Sequence, residues 1–126
     1  MKGMLYALSL LGAIIVLVAG SFGFVRQTID DHTQQAQEIR TLCQQGDYET
    51  AIPKTQSLLE SWQDKSPIFY LILYHDPVLD VSYSAQELLC YLEQGDEPLI
   101  QWESQHLLLL LDKILADETL NLTNLF

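Results

Sequence analysis

The sequence predicts an all-α protein, with an N-terminal transmembrane helix followed by a compact bundle of four to five helices. Three observations lead to this prediction. The chain opens with a stretch of 22 residues, 4–25, that carries no charge. Apolar residues then recur at spacings of three and four, which is the period of an α-helix. Gly-Asp pairs at 46–47 and 95–96 interrupt that period, and such pairs are typical of a point where one helix ends and the next begins.

The uncharged stretch is long enough to cross a membrane. As a helix it measures about 33 Å, against a hydrocarbon core of roughly 30 Å. A cleaved signal peptide is the alternative, because Ala19, Gly20 and Ser21 form a small-residue cleavage site. The stretch stays apolar as far as Val25, and this length favours a retained signal anchor at residues 1–25. We therefore expect a lipid bilayer as the partner of residues 4–25.

Basic residues on the two flanks indicate the orientation. Lys2 and the terminal amine precede the stretch, whereas Arg26 follows it and is offset by Asp30 and Asp31. By the positive-inside rule, the N-terminus is cytoplasmic and residues 26–126 form an extracytoplasmic domain of a single-pass cell-membrane protein.

The domain at residues 26–126 is strongly acidic. It has five basic residues against all 17 acidic ones, a net charge of −12. Nucleic-acid binders neutralise phosphates with basic surfaces, so we expect no nucleic-acid partner. A basic partner, a divalent cation or simply solubility through self-repulsion remains compatible with this charge.

The first half of the domain contains signals for two or three helices. Apolar residues at threes and fours in 26–45 predict a helix that continues out of the membrane. Asp47 is a good N-cap for the next helix, which extends to Gln63. Ser66 followed by Pro67 predicts a further helix start, with a cap before a proline at the first helical position.

The second half continues the helical pattern. The apolar run 68–74 is predicted to be helical, although a strand fits it in isolation. The Asp-Pro pair at 76–77 indicates a kink or a restart, and the pattern then runs to Gly95. The acidic start at Asp96 opens a last helix to about Ala116. We expect the tail, 120–126, to dock in a groove rather than to form an element.

An internal repeat links the two halves. Gln45-Gly46-Asp47 recurs as Gln94-Gly95-Asp96 with similar apolar positions before it. This predicts two helical hairpins with the same turn and a weak likeness to tetratricopeptide repeats. A solenoid needs about three repeats, so a compact bundle is the predicted arrangement.

Five successive leucines, 107–111, point in all directions around a helix. Either this helix lies at the centre of the bundle, or part of it contacts a partner. A membrane protein or a second copy of the chain is therefore an expected partner.

Few residues offer chemistry. Cys43 and Cys90 permit one disulfide or remain two thiols, a choice that depends on geometry. His75 and Asp80 share a helical face only loosely and lack further ligands, so no metal and no cofactor is predicted. No phosphate-binding loop, nucleophile elbow or metalloprotease motif is present in the sequence. We therefore expect a protein that is not an enzyme.

The domain is rich in aromatic residues, including Trp62 and Trp102. Core packing accounts for most of them, and a groove for a small apolar or cationic ligand is the functional alternative.

Three landmarks lie along the chain: Trp62, His75 after an apolar helix, and the closing Asn124-Leu125-Phe126. With these landmarks, the layout resembles a family of short bacterial membrane-anchored proteins known only as a domain of unknown function. The resemblance implies a helical extracytoplasmic domain and no activity. The sequence thus favours an interaction or accessory protein of the bacterial envelope, with a binding module for a small apolar or cationic ligand as the alternative.

Overall fold

The structure is a computed structural model that describes the backbone of residues 1–72 and 75–125 and the side chains of residues 1–71 and 76–117. In that part of the chain there are four α-helices and no strand: α1 Lys2–Gln45, α2 Tyr48–Ile72, α3 His75–Gln94 and α4 Glu97–Leu125. Both α1 and α3 pack against α2 and α4, which gives an antiparallel four-helix bundle. The prediction of an all-helical bundle is confirmed. The hairpins close on each other instead of stacking, so a tetratricopeptide likeness is not shown.

α1 is one uninterrupted helix of 44 residues, about 66 Å long. Its first half, up to Phe24, exposes its apolar side chains except for half-buried Phe22, whereas from Val25 onward a stripe at spacings of three and four is buried. The predicted continuation of the N-terminal helix into the domain is confirmed. By length and composition α1 is the one helix in the described part of the chain that could cross a membrane, and a signal sequence would satisfy the same test.

The two Gly-Asp turns have the same structure. Gly46 and Gly95 adopt left-handed conformations, with φ of 77° and 69°. In each turn the glycine N–H and the following aspartate N–H donate back to carbonyls of the preceding helix, those of Cys43 and Leu42 in one and of Leu92 and Tyr91 in the other. Each aspartate then caps the next helix, because Asp47 accepts from the Thr50 N–H and Asp96 from the Leu99 N–H. The predicted repeat of one turn is confirmed.

The predicted helix start at Ser66-Pro67 is wrong, because α2 runs through both residues to Ile72. The Ser66 hydroxyl is not a cap; it donates to the Trp62 carbonyl at 2.8 Å within the same helix. Pro67 lacks an N–H and leaves the Gln63 carbonyl without its helical donor. Gln63 is on the exposed side of the helix, where a carbonyl without a helical donor is open to solvent. The run 68–74 is helical as far as Ile72, and the rest of it lies outside the described residues.

α4 extends further than predicted. It continues through 117–125, so the expectation that the tail forms no element is wrong. The side chains of Asn124 and Phe126 lie outside the described residues, as does any groove they occupy.

The leucine run does not place α4 at the centre of the bundle. Leu107 and Leu111 are buried in the core, and Leu108 and Leu110 pack against its edges. Leu109 is 57% exposed. The two neighbouring helices on either side of α4 thus cover four of the five leucines, and one faces outward.

Candidate functional site

Trp62 lies inside the bundle and is fully buried. Its indole N–H donates to the Val78 carbonyl of α3 at 3.0 Å. Its ring lies 4.7 Å from that of Phe69 between centroids, and 5.2 Å from that of His32 of α1 in a T-shaped arrangement. Trp62 therefore joins three helices, and its position is that of a core residue rather than of a binding surface.

His32 is also buried, with 1% of its surface exposed. Its Nδ1 lies 2.7 Å from the Thr28 carbonyl, which only accepts, so Nδ1 carries the proton. The Ser61 hydroxyl is then the donor to Nε2, at 3.1 Å. Burial lowers the pKa of His32, which keeps the ring neutral. His32 is thus a hydrogen-bonded link between α1 and α2.

A second polar cluster lies between α3 and α4, and its centre is the buried carboxylate of Glu103. The Ser84 hydroxyl donates to Glu103 Oε1 at 2.6 Å, and His106 Nδ1 approaches the same oxygen at 3.0 Å. Loss of solvation raises the pKa of Glu87, and the hydrogen bond to Glu103 and its charge add to the rise. Loss of solvation and the same two carboxylates also raise the pKa of Tyr91. The cluster thus favours the protonated forms of Glu87 and Tyr91, which both lie on α3.

This cluster does not have the arrangement of a hydrolytic triad. In such a triad the histidine lies between the hydroxyl and the carboxylate and takes the hydroxyl proton. Here Ser84 and His106 both bind Glu103, so the carboxylate lies between them. The Ser84 hydroxyl donates directly to the Glu103 carboxylate, so His106 does not lie between the hydroxyl and the acid as the base of a triad does.

Next to this cluster, the outer side of α4 carries exposed apolar residues. Trp102 is 64% exposed, and its ring stacks on His106 with 5.9 Å between centroids and 10° between planes. Leu99 and Leu109 fall on the same side, since spacings of three, four and three residues follow one helical face. We call Leu99, Trp102, His106 and Leu109 the α4 stripe. The stripe contains Trp102, for which the sequence left open core packing or a ligand-binding groove.

Arg40 lies on the opposite side of α4, at its contact with α1. Its guanidinium donates to the Gln101 backbone and side-chain oxygens and to the Ser104 hydroxyl, at 2.8–3.1 Å. Gln101 in turn donates from Nε2 to the Cys43 carbonyl at 2.7 Å. These bonds fix α1 against α4, and Gln101 supplies a donor to the Cys43 carbonyl in the last turn of α1.

The two cysteines are separate thiols in the structure. Cys43 is buried, and burial raises the pKa of its thiol, which makes it unreactive. Cys90 is exposed on α3, where Gln94 Nε2 approaches its sulfur at 3.5 Å.

The other candidate residues are not brought together. Asp80 is exposed on α3, and the side chain of His75 lies outside the described residues. In the part of the chain that the structure describes, no three side chains of the metal-binding types are grouped for an ion.

The sequence patterns did not single out Glu103, Arg40 or the contact of His106 with Glu103. A signal for Glu103 is present, however. It falls within the stripe of core positions that Ile100, Leu107 and Leu111 define, where an acidic residue needs a buried partner. No such pattern identifies Ser84 as that partner, because the two residues belong to different helices.

A family described as "Domain of unknown function (DUF4363)" matches residues 20–125. The chain belongs to this family. The matched range includes the whole bundle and the end of the apolar half of α1, and it contains the Trp62 and His75 landmarks. No curated protein and no solved structure matches the chain. The predicted membership of a family of unknown function is confirmed.

Proposed function

We propose that this chain is a single-pass protein of the bacterial cell envelope, in which residues 1–25 remain as the membrane anchor. The bundle lies outside the cytoplasm and serves as a non-enzymatic interaction or accessory module. The observation that carries the proposal is the continuity of α1, which passes from its apolar half into the core at Val25 without a break.

The exposed half of α1 supports a retained anchor. Its large apolar side chains, from Met4 to Phe24, are open on all sides of the helix. Soluble monomers seldom expose contiguous apolar surface of more than a few hundred Å², and a bilayer would cover this one. The helix also runs without interruption through 19–21, the alternative cleavage site.

The polar interior supports an accessory role rather than catalysis. Glu103, Arg40 and His32 use their hydrogen-bonding groups on partners within the bundle. Their geometry thus serves to hold helices together. The α4 stripe, in contrast, presents aromatic and aliphatic side chains to the outside, as surfaces that contact other proteins do.

Two measurements on the full-length chain test the anchor and its orientation. After an alkaline carbonate wash, the chain should stay in the membrane fraction at its full mass. In intact spheroplasts, a membrane-impermeant maleimide should label Cys90, because its thiol is exposed, whereas buried Cys43 serves as the unreactive internal control. Release by carbonate or loss of the first 20 residues would contradict the anchor, and labelling only after lysis would contradict the orientation.

A photo-crosslinking residue at Trp102 tests the interaction role. In native membranes we expect one discrete adduct, with a membrane protein or with a second copy of the chain. The matched control has the same residue at Gln56, which is exposed on α2. Equal adducts or none at the two positions would contradict the role of the α4 stripe. Turnover of a hydrolase substrate that is lost in His106→Ala would contradict the non-enzymatic assignment.

A ligand-binding module is the second candidate function, and the surroundings of Trp102 favour it. The exposed indole, stacked on His106 near the carboxylates of Glu87 and Glu103, suits an apolar cation such as an alkylammonium ion. A titration of the full-length chain with tetraethylammonium should then raise the melting temperature. The rise should disappear in Trp102→Ala, and its persistence there would place the site elsewhere.

A further inference from the structure

The C-terminal end of α2 is an uncharged apolar tip. Residues 66–72 contain no charged side chain. Phe69 is buried beneath Trp62, but Ile68 is 42% exposed and Leu71 is 87% exposed. Large aliphatic side chains are therefore open at the end of the bundle where the apolar half of α1 leaves it.

This tip lies beside the apolar half of α1 rather than above it. A groove of about 310 Å³ separates the two helices, with Ile68 on one wall and Val16, Leu17, Gly20, Ser21 and Phe24 on the other. Residues 16–24 cover roughly 12 Å along the helix axis. The α2 tip thus reaches alongside the last turns of the proposed anchor.

On both α1 and α2 the charged residues stop at about the same height along the bundle axis, as the register of the two helices shows. Lys54 binds Glu38 at 2.9 Å, and Ser61 binds His32 at 3.1 Å. Continuing this antiparallel register puts Lys65, the last charge of α2, within one helical turn of Arg26, the first charge of the domain. Beyond this level, neither helix carries a charged side chain until Lys2.

The residues that mark this limit on α1 and α2 are both basic. Within the described residues, neither Arg26 nor Lys65 has an ion-pair partner. Arginine and lysine at the edge of a membrane segment extend to the headgroup phosphates while their alkyl chains stay on apolar surface. A boundary at Arg26 and Lys65 therefore fits the phosphate level of a leaflet.

We propose that the α2 tip is a second membrane contact, in which Ile68 and Leu71 enter the outer leaflet beside the anchor and acyl chains occupy the groove. The proposal rests on the proposed function, because it takes α1 as a retained anchor. The occupant is lipid because the groove shares a wall with the anchor, so whatever covers Val16–Phe24 also covers Ile68. With two contact points, the bundle keeps a fixed tilt, and the α4 stripe stays at a fixed height.

That height follows from the contact of α4 with α1. Gln101 binds the Cys43 carbonyl, so Trp102 lies near the level of Leu42. Leu42 is 17 residues beyond Val25, which is about 25 Å along the helix. A bundle fixed by two contacts thus presents Trp102 at roughly this distance above the leaflet.

Depth-dependent fluorescence quenching on the full-length chain tests the proposal. In a Cys90→Ser parent, single cysteines at Leu71, Ile14 and Leu109 carry an environment-sensitive fluorophore. Each protein is reconstituted into phosphatidylcholine and phosphatidylglycerol vesicles, with nitroxides either near the headgroup or at the end of the acyl chain. Leu109 is the matched control, an exposed leucine of α4. The parent without an added cysteine controls for reaction at Cys43.

We expect blue-shifted emission at Leu71, quenched more by the headgroup-proximal nitroxide than by the deep one. At Ile14, near the middle of the anchor, the order should reverse, and Leu109 should show no quenching by either. Ile68→Cys repeats the measurement at a second position of the tip. Circular dichroism equal to that of the parent shows that each variant is folded.

Three results would overturn the proposal, and they are distinguishable. Quenching at Ile14 without quenching at Leu71 removes the second contact but leaves the anchor intact. No quenching at either position removes the anchor and with it the proposed function. Blue-shifted emission at Leu71 that lipid nitroxides do not quench, and that fades on dilution of protein in lipid, would make the occupant a second copy of the chain.

Discussion

Replacing Trp62 with phenylalanine should destabilise the bundle far more than the same change at Trp102. Trp62 is fully buried between three helices and donates to the Val78 carbonyl at 3.0 Å. Trp102 is 64% exposed, and its main contact is the stacked ring of His106. The two substitutions remove the same atoms, so the comparison isolates the effect of position.

The size of the effect can be derived from these contacts. Trp62→Phe removes the atoms of a fused five-membered ring from the core, worth about 1–2 kcal/mol at ~0.8 kcal/mol per methylene-sized group. The lost hydrogen bond adds about 1 kcal/mol. A total of roughly 2–3 kcal/mol lowers the melting temperature of a domain of this size by about 10–20 °C. Trp102→Phe, as an exposed change, should stay within about 0.5 kcal/mol.

Thermal unfolding followed by circular dichroism suits this test, because it does not depend on tryptophan emission. The full-length variants are measured in the same detergent micelles as the parent, and the bundle transition is compared. Equal shifts for Trp62→Phe and Trp102→Phe would refute the assignment of Trp62 to the core and of Trp102 to the surface.

Three further predictions follow from the turns, the buried histidine and the thiols. Gly95→Ala should lower the free energy of unfolding by about 1–2 kcal/mol, because alanine would have to adopt the left-handed conformation of Gly95. A clash does not contribute, since a Cβ at this position meets no neighbour. Gly12→Ala is the control: it lies in a regular helix with open space around it, and the same melt should show no measurable loss. Burial lowers the pKa of His32, so below pH ~6.5 the unfolded chain binds a proton that the folded chain does not. The free energy of unfolding should therefore decrease by up to about 1.4 kcal/mol for each unit by which the pH is lowered in this range. His32→Phe should flatten that acid dependence in melts at stepped pH, and an unchanged slope would assign the dependence to another group. In detergent, a maleimide should modify Cys90 at least about tenfold faster than Cys43, with equal rates only after denaturation, and a fast Cys43 would contradict its burial.

Much of the fold was predictable because its signals are local. The Gly-Asp pairs end and restart helices through bonds to residues only a few positions away, and glycine tolerates the left-handed conformation that each turn needs. The apolar period at threes and fours similarly identified the buried face of α1. These features need no knowledge of the neighbouring helices.

The signals that failed are those that packing overrides. Ser66-Pro67 has the composition of a helix start, but the buried surface of Trp62 and Phe69 favours one long helix, and an exposed carbonyl tolerates the proline. The run 107–111 left open a central helix or a contact with a partner, and neighbours on two sides of α4 cover four of its five leucines. In each case a contact distant in sequence decided the outcome.

The candidate site was predictable only in part. Trp62 and Trp102 both stood out as aromatic residues. One is buried and the other exposed because of the side of its helix on which each lies, and this depends on the packing of the bundle. The link of Ser84 and His106 through Glu103 joins residues from two helices, so no spacing along the chain reveals it.

By itself, the sequence determined the helical class, the long uncharged N-terminal segment and the two repeated turns, because each arises from interactions within about one helical turn of the residue concerned. The tertiary structure decided which residues are paired inside the bundle and which face outward. It also decided that the α2 tip lies beside the apolar half of α1. Those outcomes depend on the register between helices, and register is set by side-chain contacts between residues that are far apart in the chain.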